Sequence, residues 1–374
     1  MRLLLGEGLL TSDDPLHRQM RRIVQPAFHR QRIAAYGQTM LVFAREWAHQ
    51  CVLEVPFDMH AAMSALTLRI AGTTLFGSDA GEVSDVVRRA LQVTIDVYPQ
   101  AASPFALMMR LPFGPGARFE RARMELDAVV FDLIARGRRH TNGRTDALSL
   151  LLATEDVESG YRPSDQQIRD EVMTLFLAGH ETTANALTWT WYLLSQHPDV
   201  QAKLAAEIET IDAWDDALAL YNALTYTRRI VRESMRLYPP AWVLGREARE
   251  TVVLDGGYVI EAGTTVLLPQ LVMHRSARFY PDPLRFDPDR WLRDDDIPAF
   301  AYFPFGGGAR RCIGEEFAWL ETTIVLATIA RVRRFTYLGT GAPELSAMIT
   351  LRPKGEVMMR ATIDKRSEKD RDVV

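Results

Sequence analysis

Residues 303–321 read FPFGGGARRCIGEEFAWLE, and the rest of the chain takes its meaning from this stretch. Cys312, one of only two cysteines in 374 residues, stands behind three glycines and two arginines at the mouth of a helical pattern. A thiol at a helix N-terminus feels the positive end of the dipole and unpaired backbone N–H groups. Arg310 and Arg311 add positive charge beside it, so all three influences favour thiolate over thiol. Gly306, Gly307 and Gly308 free the preceding loop to take positive φ and let a bulky group approach the backbone.

Taken alone, Cys312 also reads as a buried helix-start residue. It also reads as a nucleophile, although no nearby motif supplies the histidine partner. A third reading is a thiolate held by amide N–H groups beneath a large flat group, which is how a cysteine-ligated haem is built. The spacing decides among them. Phe305, Gly308, Arg310, Cys312 and Gly314 form F-x-x-G-x-R-x-C-x-G, a pattern that arises by chance on the order of once in a million windows at roughly 5% usage per residue type. This pattern resembles the haem-binding signature of the cytochrome P450 family. The resemblance implies haem b as cofactor and Cys312 as the axial ligand of its iron. It further implies that Arg310 pairs with a propionate, that Phe305 packs against the ligand loop and that Gly306 lies against the cofactor.

Composition is compatible with this. The chain is 47% apolar and 25% charged, ordinary for a globular protein, and at 42.3 kDa it is long enough for a large core. A net charge of −4 leaves no basic footprint for nucleic acid. Short basic clusters at 136–144 and 331–334 fall at the ends of helical patterns, where cations suit the dipole. Two cysteines make no disulfide framework, and Cys51 reads as a small buried apolar residue. No apolar run nears the ~18 residues of a membrane span. The opening MRLLLGEGLL is too short and too interrupted for a signal peptide, so a cytoplasmic protein is expected.

Helical periodicity covers 15–24, 31–50, 59–76, 83–97, 117–138, 164–196, 199–211, 225–237 and 315–333. Strand patterns at 251–254 and 258–260 flank the turn DGG, and another follows at 264–268. Proline breaks up 275–298. Residues 364–374 form a charged tail, expected to be disordered. With no repeat and no linker, residues 1–363 read as one domain. Its class is mostly α with a minor β-sheet (α+β), the cytochrome P450 fold, with haem between a long central helix and the Cys312 loop.

Three further motifs agree. In the longest helical pattern, Ala178-Gly179-His180-Glu181-Thr182 matches the family's A/G-G-x-D/E-T element. The resemblance implies that Ala178 and Gly179 adjoin the haem, that Thr182 hydrogen-bonds bound dioxygen and that Glu181 relays protons. Independently, Thr182 is placed to back-bond to the carbonyl of Ala178 and bend the helix. In RESMRLYPP, Glu233 and Arg236 are three apart on one helix face. The downstream segment YPDPLRFDPDRW is similar to the one that brings a further arginine, here Arg290, to that pair. The family more often has Glu then Arg-Phe there, where this chain has Asp289, Arg290 and Trp291. In LHRQMRR, His17 and Arg21 lie four apart on one helix side. The resemblance carries them over, with Arg246, as propionate contacts.

The implied chemistry is monooxygenation: one atom of O2 enters a lipophilic substrate by hydroxylation or epoxidation. Two alternatives stand beside it, a peroxide-dependent peroxygenase and a non-catalytic haem-binding remnant. About sixty residues follow Cys312, too few for a fused electron-transfer domain. A separate ferredoxin or flavodoxin-type donor with its NAD(P)H reductase is therefore expected, docking on the face that holds Arg18, Arg22, Arg30 and Arg311. Phe176, Trp242, Val243 and Leu244 are substrate-pocket candidates, and Met108 and Met109 belong to an access lid at 103–116. Members of the family usually carry several dozen residues before the helix with His17, supplying two strands and a substrate cover. Met1 reads either as an internal methionine of a longer frame or as the start of a natural truncation. Where those two strands are absent, the strand at 243–248 is expected to present an unpaired edge.

Overall fold

The structure is a computed structural model that describes residues 2–77, 114–139, 146–293 and 297–363, with Val87, Ala90, Val93 and Val97 between them. In chain order these form α1 (Arg2–Leu5), α2 (Leu16–Val24), α3 (Arg30–Gln50), β1 (Pro56–Asp58), α4 (Met59–Phe76), α5 (Pro115–Arg139), α6 (Ala147–Ala153) and α7 (Asp165–Gln196). There follow α8 (Pro198–Glu209), α9 (Ala217–Ala223), α10 (Thr225–Leu237), β2 (Leu244–Glu247), β3 (Val252–Val253), β4 (Val259–Ile260), β5 (Thr265–Leu268) and α11 (Gln270–Met273). The chain ends with α12 (Glu315–Val332), β6 (Arg333–Tyr337), β7 (Leu345–Ala347), β8 (Leu351–Pro353) and β9 (Met358–Ile363). The class is mostly α with small antiparallel sheets, as the sequence predicts.

The axis of the fold is α7. The Ser164 side chain accepts from the Gln167 N–H while the Gln167 side chain reaches back to the Ser164 N–H, a capping box that satisfies two orphan donors. Helical geometry stops at His197, ahead of Pro198. Between those ends the helix is buried on nearly every face, and α4, α10 and α12 pack against it. The start of α4 is fixed by Asp58, whose carboxylate accepts from the N–H groups of His60 and Ala61, and its end by Gly77 at φ 57°. Acidic Glu315 and Glu316 occupy the first turn of α12, where they suit the dipole. Trp189, fully buried on α7, stacks on Tyr238 with ring centroids 4.2 Å apart and donates its Nε1–H to Leu351 O. Burying a ring of that size contributes about 2–3 kcal/mol.

Sheet order is β1-β9-β6 in the largest sheet, with Phe57 opposite Met359 and Phe335 opposite Ala361. Rings of Phe57, Phe335 and Trp47 meet beneath it at 5.9–6.2 Å. The sequence-predicted strands at 251–254 and 258–260 pair as β3 and β4, and 264–268 is β5. Sequence periodicity gave no sign of β6, which continues straight from α12 where the basic cluster read as a helix end.

Among the described residues β2 pairs with β5 alone, and its Gly245, Arg246 and Glu247 are exposed, which agrees with the open edge expected there. At the start of the chain, Leu4 to Leu9 lie along α7. Glu7 N–H donates to Asp170 Oδ2 at 2.9 Å, and Arg169 Nη1 donates to Leu4 O at 2.8 Å. Approach is close enough that a Cβ on Gly8 would stand 2.1 Å from Thr174 Oγ1, so only glycine fits. Cys51 is half-buried, short of the full burial expected. Most of the helix expected at 83–97, the 103–113 part of the lid with Met108 and Met109, and the 364–374 tail lie outside the described residues.

Candidate active site

Two left-handed glycines shape the Cys312 loop: Gly306 at φ 72° and Gly308 at φ 68°. A Cβ on Gly306 would meet Leu244 Cδ1 at 3.3 Å, so the first residue of β2 and the loop pack directly on one another. Closure comes from the Cys312 N–H, which donates to Phe305 O at 2.9 Å, while the Phe305 ring rests on Trp319 at 5.6 Å. The Cys312 side chain is accessible, yet protein surrounds it densely enough that burial pushes its thiol up to about 11. The Gly314 N–H and the cations of Arg21 and Arg311 pull the other way and lose. This corrects the expectation of a thiolate favoured by its surroundings: desolvation outweighs dipole and arginines. A coordinated cation reverses the balance, since a metal-bound thiol is deprotonated outright.

From Ile168 to Leu194, α7 is buried at every position except Ala178, Gly179 and Thr182. Those three share one side of the helix, a window of about one turn in an otherwise covered rod. Thr182 Oγ1 donates to Ala178 O at 2.7 Å, the back-bond that the sequence predicts. Its neighbour Glu181 is buried and its Oε1 accepts from Thr350 Oγ1 at 2.9 Å. His180 points into the protein: its Nδ1 meets Phe176 O at 2.7 Å, and burial holds its imidazole below the usual range.

Cations gather near the loop. Arg21 Nη1 donates to Arg311 O at 2.8 Å, and Arg310 Nη1 donates to Ser12 O at 2.8 Å. His17 is buried on α2, its pKa lowered first by burial and next by Arg310. Arg246 is exposed on β2, and its Nη1 donates to the carbonyl of its neighbour Gly245. Among the described residues no carboxylate pairs with Arg21 or Arg246, and Asp13 stands 4.0 Å from Arg310. A thiol on a glycine-shaped loop, a window of small residues on a buried helix and a cluster of cations short of counter-ions together fit a haem carrying two propionates. Ser12, which accepts from Arg310, gave no signal in the sequence.

Glu233 and Arg236, both fully buried, form a two-pronged pair at 2.8 and 2.9 Å, and Arg290 Nε reaches Glu233 Oε1 at 3.3 Å. Arg236 also donates to three backbone carbonyls, of His274, Pro283 and Arg285, at 2.7–3.1 Å. The proline-rich segment is thereby tied to α10, and the chain following it leads into the Cys312 loop.

The sequence profile described as Cytochrome P450 matches residues 2–357. The chain belongs to the cytochrome P450 family. It is 40% identical over 333 residues to the cyclooctatin synthase of Streptomyces melanosporofaciens, covering 87% of this chain and 72% of that one. It is 37% identical over 339 residues to the cyclooctat-9-en-7-ol 5-monooxygenase of the same organism, covering 88% and 72%. Among solved structures, the haem domain of cytochrome P450DA superposes with a TM-score of 0.84 at 26% identity, covering 98% of this chain and 82% of that one. This P450 is accordingly a monooxygenase-class oxidoreductase that uses a haem-thiolate cofactor, O2 and a redox partner.

Among the substrate-pocket candidates of this P450, Phe176 is a correction. It is buried in the core and stacks on Phe76 with centroids 4.1 Å apart, off the accessible side of α7. Trp242, Val243 and Leu244 are half-buried, and Trp242 Nε1 donates to Met348 O at 3.0 Å. The basic donor face is also weaker than its sequence. Arg18 pairs with Asp14, Arg22 with Asp156 and Glu158, and Arg311 with Glu315. Beside them a groove of about 700 Å3 runs between Arg228, Arg229 and Arg232 of α10 and Glu315 and Glu316 of α12. No helix among the described residues is long and apolar enough to cross a membrane.

Proposed function

We propose that this P450 inserts one atom of dioxygen into a lipophilic, terpenoid-type substrate, using haem b and electrons from a separate ferredoxin or flavodoxin-type donor. The observation that carries this reading is the accessible turn Ala178-Gly179-Thr182 in the middle of a buried helix. When bound, the haem supplies the activation of dioxygen, its thiolate ligand favouring O–O cleavage. Cys312 Sγ is the ligand, and His17, Arg21, Arg246 and Arg310 hold the propionates. Small side chains at 178 and 179 leave room against the helix. Thr182 Oγ1 positions a proton on the accessible side, and the Glu181 carboxyl carries protons to it. Substrate class is supported by relatives named for cyclic terpenoid substrates, among them a pentalenene oxygenase of Streptomyces avermitilis at 36% identity. The donor approaches the groove beside the Cys312 loop, with charge complementarity setting its on-rate.

The test is isotopic. With a ferredoxin, its reductase, NAD(P)H and labelled dioxygen, a cyclic terpenoid olefin or alcohol is expected to gain one labelled oxygen atom. Label incorporated only from peroxide, without any reductant, overturns the reading in favour of a peroxygenase. Haem binding with no product from either oxidant favours a remnant. Thr182→Ala is expected to lower product formation about a hundredfold, the low end of what a positioned proton-transfer group contributes, with released peroxide measured alongside.

A further inference from the structure

A chain of hydrogen bonds leads away from Glu181 through residues no motif singles out. Thr350, between β7 and β8, places Oγ1 2.9 Å from Glu181 Oε1. Asn185, one turn further along α7 and fully buried, places Nδ2 3.1 Å from Thr350 Oγ1. Half-buried His60, in the first turn of α4, closes the line with Nε2 3.0 Å from Asn185 Oδ1. The four residues come from three parts of the chain separated by 125–169 positions.

When Glu181 is a carboxylate, ready to take up a proton, chemistry fixes the direction of every bond in this line. An ionised carboxylate only accepts, so Thr350 must give its hydroxyl proton to Glu181. Thr350 Oγ1 then accepts, so Asn185 must present its NH2 to it. The amide oxygen of Asn185 is left facing His60, so His60 must carry a proton on Nε2. Neutral His60 in that tautomer satisfies the line, and so does imidazolium; the tautomer protonated only on Nδ1 does not. Among the described residues no cation forms an ion pair with Glu181, so its orientation rests on these neutral donors. An amide passes protons poorly, so the line serves to hold the carboxylate and does not conduct.

We infer that Thr350, Asn185 and His60 form a positioning latch for Glu181, tying Oε1 to the protein and leaving Oε2 for proton transfer beside Thr182. The inference rests on the monooxygenase reading for its consequence, and on hydrogen-bond geometry alone for its existence. All three are positioning residues.

Two readouts test it on the full chain loaded with haem. Nitrogen-15 spectra of labelled histidine, with His60 assigned through His60→Gln, are expected to show Nε2 protonated in the neutral ring. Near-isosteric Thr350→Val releases the Asn185 amide and is expected to abolish that tautomer preference, while Thr350→Ser retains it. In turnover, the share of dioxygen released as hydrogen peroxide is expected to rise about tenfold in Thr350→Val, the scale of one charge-assisted hydrogen bond, and to stay near wild type in Thr350→Ser. An unchanged tautomer in Thr350→Val overturns the latch. An equal peroxide rise in both variants also overturns it, because packing and not the hydroxyl would then be responsible. Should the wild-type protein turn over no substrate, the proposed function fails on its own, and the tautomer result still decides the latch.

Discussion

Arg236→Leu is expected to lose about 3–5 kcal/mol of stability and to yield protein that retains haem poorly. Arg236 is fully buried and makes five hydrogen bonds, two to the Glu233 carboxylate and three to the carbonyls of His274, Pro283 and Arg285. Leucine fills some of the volume but leaves the Glu233 carboxyl in the interior without its main partner, with Arg290 Nε at 3.3 Å and the Asp287 N–H at 3.1 Å still facing it among the described residues. It also strands three carbonyls, each with a desolvation cost of its own. Domains are stable by about 5–15 kcal/mol in total, so the loss consumes much of the margin. Lysine is not expected to rescue, because five bonds in a planar fork cannot be reproduced by an ammonium group. Denaturant unfolding checks this: a midpoint for Arg236→Leu matching wild type would show that the network holds nothing together. Glu233→Gln should fall in the same direction, since it strands the arginine instead.

Legibility followed sequence distance. Local signals were readable because their causes are local. The capping box of Ser164 and Gln167, the back-bond of Thr182 and the pairing of Glu233 with Arg236 each span three or four residues, and helical spacing alone brings the partners together. Cys312 was readable because ligand, cation and glycine turns fall within ten positions. The latch residues were not, because Thr350 and Asn185 meet across 165 positions and neither type is unusual in its own segment. Phe176 was misplaced because helical phase says which side a residue takes but not what covers that side; Phe76 does. The C-terminal strands were missed because β6 begins at Arg333, where the apolar period of α12 ends without a turn signal. The thiol of Cys312 shows the same limit. Dipole and arginines can be read from neighbours, whereas burial is a property of the whole fold and outweighs them.

Cys312→Ser is expected to fold as the wild type does and to lose at least a thousandfold in product formation, about 4 kcal/mol of barrier. Folding should survive because backbone shapes the loop: left-handed Gly306 and Gly308, and the Cys312 N–H donating to Phe305 O, none of which involves sulfur. Chemistry should not survive, because a thiol loses its proton to solvent when its sulfur coordinates a metal cation, whereas a serine hydroxyl stays protonated. The reduced, carbon-monoxide-treated protein reports the ligand directly. Wild type is expected to absorb at the strongly red-shifted thiolate position and Cys312→Ser at the position of neutral ligands. A thiolate band surviving in Cys312→Ser would require the other cysteine to take over. Cys51 sits at the end of α3, half-buried, with burial holding its thiol above the usual range. No glycine turn surrounds it, so persistence of the band would overturn both the ligand assignment and the placement of the haem against α7.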